Sequence, residues 1–159
     1  MKENSFWWPY LDILPIRFSS TNNFTQEEFD LLKGTPLEFS AIERKKDLQQ
    51  LYEEFIFELK KKNLDLSVYT WDNFIWAYSV FESRAFIKDL IDPNPDIPNS
   101  EILIPYLDFA NHKPKQPVCW EFKNKFVNFT NDLVLLQSGQ EIFNNYGPKS
   151  NEECRPTHI

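Results

Sequence analysis

Apolar and polar positions change their period about two thirds of the way along this chain, from helical spacing to short β-rich runs. Thr25 with Glu28 forms a capping box that opens a short helix expected to run to about Lys33, where Gly34 and Pro36 would close it. Ser40 with Glu43 repeats the device ahead of a longer helix. There Ile42, Leu48, Leu51, Tyr52, Phe55, Ile56 and Leu59 recur at spacings of three and four, with Glu43, Lys45, Lys46, Glu53 and Lys60 mostly opposite, predicting one buried face. The run Lys60–Lys61–Lys62 reads as its solvated end. Thr70 caps a third helix, in which Trp71, Phe74, Ile75, Tyr78, Phe81, Ala85 and Phe86 make a dense apolar face. Near its end Ser83 and Arg84 place polar groups among aromatics. The prolines of DPNPDIPNS, residues 92–100, predict a loop. After it come EILIPYLDFANH, β-rich pieces near 118–123, 126–130 and 132–136, and Glu141–Phe143 after a Ser-Gly turn. A helical lobe followed by a small antiparallel β region predicts an α+β fold.

Composition adds a globular core to this picture. In 159 residues, 42% are hydrophobic and 15 are Phe, 6 Tyr and 5 Trp, enough apolar material for one modest domain and too much for a disordered chain. A net charge of -7 argues against a broad footprint on nucleic acid or anionic membrane and is compatible with a basic protein target. No window approaches the roughly twenty apolar residues of a membrane span. Cys119 and Cys154 lack the short spacing of a zinc or redox pair, which favours reduced thiols and a cytoplasmic setting. The three glycines, Gly34, Gly139 and Gly147, are too dispersed for a Gly-rich phosphate cradle.

Candidate chemistry is sparse when residues are taken singly. His112 and His158 have no second histidine or cysteine at ligand spacing, so no metal site is expected. Neither cysteine has an adjacent base, and no triad can be read from scattered serines. Alone, His112 reads as a hydrogen-bonded residue at a strand end, Arg84 as a helix-terminal cation, Asp108 as a turn residue and Tyr146 as a core aromatic.

Taken in order, four segments change that reading. YLDFANH resembles the Asn-His motif of SET-domain protein methyltransferases, and GQEIFNNYGPKSNEE resembles their closing Tyr-Gly segment. WAYSVFESRAF is similar to the helix end of the subgroup typified by the Rubisco large-subunit lysine methyltransferase and its fungal relatives acting on ribosomal proteins and translation factors. FWWPYLDILP resembles the start of that subgroup's helical insert. The resemblance implies a partial SET domain over 1–153, with the insert at 1–90 and the C-terminal SET β region at 101–153. Residues 154–159 would be a tail foreign to the family.

The same resemblance implies an S-adenosyl-L-methionine-dependent protein-lysine N-methyltransferase whose cofactor and substrate lysine meet in a narrow channel. Arg84, Asn111 and His112 would bind the cofactor, the Asn-His pair partly through backbone groups at the adenine. Arg84, Asp108 and Tyr146 would face the substrate, and Tyr146 would be the catalytic residue. Trp120 falls where relatives carry an aromatic channel residue. The expected partner is a basic, lysine-containing protein, with no direct role for nucleic acid or membrane. Against the family pattern, the first β region with its glycine-containing turn and the apolar helix after the Tyr-Gly motif are missing. The expectation is therefore a domain incomplete at both ends. A noncatalytic interaction module and a protein-histidine methyltransferase remain open alternatives.

Overall fold

The computed structural model describes residues 4–88, 97, 100–124, 126–131 and 135–147. They divide into two compact units that adjoin in sequence between Ser83 and Arg84.

Among the described residues the first unit holds the α-helices α1 (Trp8–Leu11), α2 (Gln26–Asp30), α3 (Pro36–Lys61) and α4 (Trp71–Arg84), the last of which ends on the first residue of the second unit. The capping box of α2 is present: Thr25 Oγ1 accepts from the Glu28 N–H at 3.2 Å, and the Glu28 carboxylate accepts from the Thr25 N–H at 2.8 Å. The helix stops at Asp30 rather than Lys33, because the next N–H groups turn to carbonyls three residues back and tighten the chain. The expected start of α3 at Ser40 is overturned. Thr35 is the cap, accepting from the Glu38 N–H at 3.3 Å, and Ser40 lies inside the helix, its hydroxyl donating to the Pro36 carbonyl. Pro36, expected to stop one helix, begins another, since a first-turn N–H has no helical partner to lose and the ring presets φ.

Burial of the α3 stripe is also less than expected. Ala41 and Leu48 are buried, but Ile42, Leu51 and Phe55 stay exposed. A 26-residue helix is about 39 Å long, against about 21 Å for the 14 residues of α4, so α4 can cover only part of it. Where they meet, Tyr52 lies 5.4 Å from Trp71 and 5.3 Å from Phe74, and Phe55 lies 5.9 Å from Phe74. The core proper comprises Tyr10, Leu14 and Phe18 with Ala41, Leu48, Ile75 and Val80. Polar groups at its margin are paired: Arg44 with Glu82 and the Tyr78 hydroxyl, Asn22 with Glu82, and Asn23 with Ser79 at 3.0 Å. Thr70 caps α4 through the Asn73 N–H, as its sequence predicts. No helix among the described residues is long and apolar enough to cross a membrane.

The described residues of the second unit form three two-stranded pairings. β1 (Ala85–Ile87) runs antiparallel to β2 (Glu101–Leu103), so Ala85 and Phe86, expected on the third helix, are strand residues instead. Pairing with a strand distant in sequence outweighs helical periodicity here. β4 (Cys119–Lys123) and β5 (Phe126–Thr130) form the expected hairpin, with Trp120 opposite Phe129. β3 (Asn111–His112) pairs with β6 (Phe143–Asn144), and this pairing is parallel, beside the two antiparallel pairings that make up the expected antiparallel β region. Of the piece expected at 132–136, residues 132–134 lie outside the described residues and 135–136 are not strand. Most of the loop at 92–100, and all of 148–159 with Cys154 and His158, also lie outside them.

Candidate active site

The buried residues of the second unit are polar: Asp108 and Asn144 are sheltered, and no apolar residue described there is as buried. Sheltered polar groups cost free energy unless partnered, so their partners define the site. Arg84 ends α4 and is thereby fixed in position. Tyr106 adopts a left-handed φ of 73° and bends the chain into a single turn of 3₁₀-helix, Leu107–Phe109. The N–H groups of Leu107 and Asp108 both reach the Ile104 carbonyl. Asp108 therefore lies on a turn, as it reads when taken singly, ahead of the strand that begins at Asn111. The turn shelters its carboxylate fully, with Arg84 Nη1 3.2 Å from both Asp108 Oδ2 and the Asp108 carbonyl. The guanidinium also sits 5.8 Å from the Phe109 ring centroid. Its buried Nε–H has no acceptor among the described residues.

Tyr146 is held at both ends by the segment around β3. Its hydroxyl donates to the Ala110 carbonyl at 2.8 Å, and its N–H donates to His112 Nδ1 at 3.0 Å. The His112 and Tyr146 rings stack, 5.2 Å apart and inclined by 24°. The parallel register of His112 with Asn144 makes this possible, because it carries the chain after β6 back alongside His112. Two asparagines then shape the turn. The Asn144 Oδ1 accepts the Asn145 N–H at 2.7 Å, and the Asn145 Oδ1 accepts the N–H of Gly147, whose φ of 93° suits glycine. Burial pushes the Tyr146 phenol above its ordinary value of 10.0, the Arg84 charge opposing and the Asp108 charge adding to the shift. Arg84, Asp108, His112 and Tyr146 are thus brought into one cluster.

Asn111 stands apart from that cluster. It is exposed, and its carboxamide donates to Glu141 Oε1 at 2.6 Å. Trp120 packs on Phe86 at 5.0 Å and on its cross-strand partner Phe129 at 4.7 Å. Glu141, Asn144 and Asn145 did not emerge from the sequence. An Asn-Asn pair two residues ahead of a glycine is a turn signal that could have singled out the last two; Glu141 carries no such mark. No cluster of three or more metal-binding side chains occurs among the described residues.

Chemically, a neutral phenol that donates its proton to a carbonyl acts towards any further group through its oxygen as an acceptor. Such a group can orient an amine or a polarised methyl without removing a proton. The adjoining Arg84–Asp108 pair is neutral overall, and the unpartnered Arg84 Nε–H suits an anionic ligand group such as a carboxylate.

No family model matches the chain. It is 34% identical over 151 residues to the ribosomal lysine N-methyltransferase set10 of Schizosaccharomyces pombe, covering 94% of this chain and 27% of the relative. To the chloroplastic [fructose-bisphosphate aldolase]-lysine N-methyltransferase of Arabidopsis thaliana it is 33% identical over 165 residues, covering 96% and 33%. The structure of Rubisco LSMT bound to AdoMet matches with a TM-score of 0.74 at 24% identity, over 98% of this chain and 35% of that one. The SET domain of LSMT bound to lysine and AdoHcy matches with a TM-score of 0.72 at 24% identity, over 98% and 37%. The fold is thus that of part of a SET domain, and the chain spans about a third of the length of these relatives.

Proposed function

We propose that this chain, a homologue of the SET-domain protein-lysine methyltransferases of the Rubisco large-subunit type, carries the methyl-transfer face of an S-adenosylmethionine-dependent protein-lysine N-methyltransferase. The observation that carries this reading is Tyr146, a half-buried phenol tied to the Ala110 carbonyl beside the Arg84–Asp108 pair. Arg84 would hold the carboxylate of the cofactor through its unpartnered Nε–H, and the backbone of Asn111 and His112 would meet the adenine. When bound, S-adenosylmethionine supplies a methyl group activated on a sulfonium. Transfer is an in-line displacement, for which orientation and electrostatics can provide most of the acceleration. Tyr146 orients the attacking amine through its oxygen, while Asp108 holds Arg84 and helps align the substrate. Tyr146 does not serve as the base, because its phenol stays protonated at neutral pH. The lysine proton leaves to water.

The substrate we assign is a basic protein, in keeping with the net charge of -7, and within that class a ribosomal protein or translation factor. Relatives named as ribosomal lysine methyltransferases support that narrower choice. The compartment we assign is the cytoplasm, on the strength of two cysteines without close spacing. Methyl transfer from labelled S-adenosylmethionine to ribosomal protein fractions, followed by mass spectrometry, tests the reading. Methyl on lysine, reduced about 10²- to 10³-fold in kcat by Tyr146→Phe, is the expected result. Methyl on histidine would support the histidine-directed alternative. A folded chain that binds no cofactor and transfers no methyl would leave a noncatalytic interaction module.

A further inference from the structure

We infer that the His112 side chain is a positioning residue for Tyr146, acting through Nδ1 on the Tyr146 backbone, and does not itself bind the cofactor. The inference deepens the proposed methyl transfer and rests on that reading for its kinetic consequence. Three observations converge on it. The Tyr146 N–H donates to His112 Nδ1 at 3.0 Å, so that nitrogen must present its lone pair and the ring proton must sit on Nε2. The two rings stack at 5.2 Å and 24°, which opposes rotation of the phenol about its Cα–Cβ bond. Finally, the Ala110 carbonyl, two residues before His112, receives the Tyr146 hydroxyl at 2.8 Å. The backbone end and the phenolic end of Tyr146 are therefore both referred to one short segment, residues 110–112.

The physical consequence is geometric. Without the Nδ1 acceptor, the Tyr146 N–H would need a new partner, and the turn from Asn144 to Gly147 would lose one of its fixed points. Displacement of about 1 Å at a reacting group can cost about 10²-fold in rate. A side chain spent on this bond has one face and one nitrogen already engaged, so His112 would contribute to cofactor binding through its backbone.

The test compares His112→Asn with His112→Phe. The Asn Oδ1 reproduces the Nδ1 acceptor without the ring, whereas Phe keeps the ring without the acceptor. His112→Phe is expected to lower kcat by about 10- to 100-fold, with KM for S-adenosylmethionine within about twofold of wild type, and His112→Asn to recover about tenfold of that loss. A rise in cofactor KM with unchanged kcat would overturn the inference, as would equal kcat for the two variants. A second measurement needs neither activity nor a variant at this position. Nitrogen NMR of the full chain, whose two histidines are told apart by His158→Gln, is expected to show His112 as the Nε2–H tautomer. An Nδ1–H tautomer would sink the inference even in an active enzyme. If the wild-type chain transfers no methyl, the proposed function fails while the tautomer still decides the role of His112.

Discussion

Tyr146 illustrates how a single side chain acquires a role from its surroundings. In water a phenol ionises near 10; here burial makes the phenolate costlier and raises the folded-state value. The sign of the linkage follows. Below about pH 10 the folded and unfolded chains both hold the proton, and the contribution to stability is complete. As pH rises from about 10 towards the raised folded value, the unfolded chain loses its proton first, and stability declines. Urea midpoints of wild type and Tyr146→Phe, measured between about pH 8 and 11, should therefore converge as pH increases. A gap that stays constant would mean that Tyr146 titrates as it does in water. Arg84 and Asp108 were legible as candidates only through the motif segments WAYSVFESRAF and YLDFANH that contain them. Their pairing was not, because 24 positions separate them and the turn that joins them depends on the unusual backbone at Tyr106.

Helix starts depend on one or two local groups, and α3 shows how two candidate signals compete. Ser40 with Glu43 satisfies the sequence rule for a capping box, yet Thr35 with Pro36 satisfies a stronger combination five residues earlier. Once the helix has begun at Pro36, the Ser40 N–H has an internal partner and nothing remains for its side chain to cap. Thr35→Ala should accordingly lower the unfolding free energy by about 1 kcal/mol, and Ser40→Ala should change it by less than about 0.5 kcal/mol. Denaturant titration of the two variants checks this, and the reverse order would restore Ser40 as the helix start. The end of α4 shows the opposite case. Ala85 and Phe86 continue its helical period, but they leave it to pair with Ile102 and Leu103.

Across the chain, stability is unevenly founded. The apolar core residues lie in the first unit, while large apolar side chains such as Ile16, Leu31 and Leu135 are more than 80% exposed. Leu48→Ala, at a site 3% exposed, should cost about 2–5 kcal/mol by losing burial and leaving a cavity. Ile16→Ser should stay within about 0.5 kcal/mol, since its side chain is 89% exposed and has little burial to lose. Thermal unfolding of both variants tests the contrast; comparable losses would mean that Ile16 is covered in solution.

Local chemistry accounts for what could be read without coordinates: the caps at Thr25 and Thr70, the β4–β5 hairpin, the α+β class, and the four motif segments in their order. Each depends on residues within a few positions of one another. Other features depend on groups far apart in the chain, and periodicity carries no information about them. The parallel pairing of His112 with Asn144, the Arg84–Asp108 contact and the carbonyl beneath the Tyr146 hydroxyl are of this kind. The segment from Gly139 to Gly147 could be recognised by its residues, but what Tyr146 can do was set by folding, which partly buries its phenol and commits its proton to Ala110.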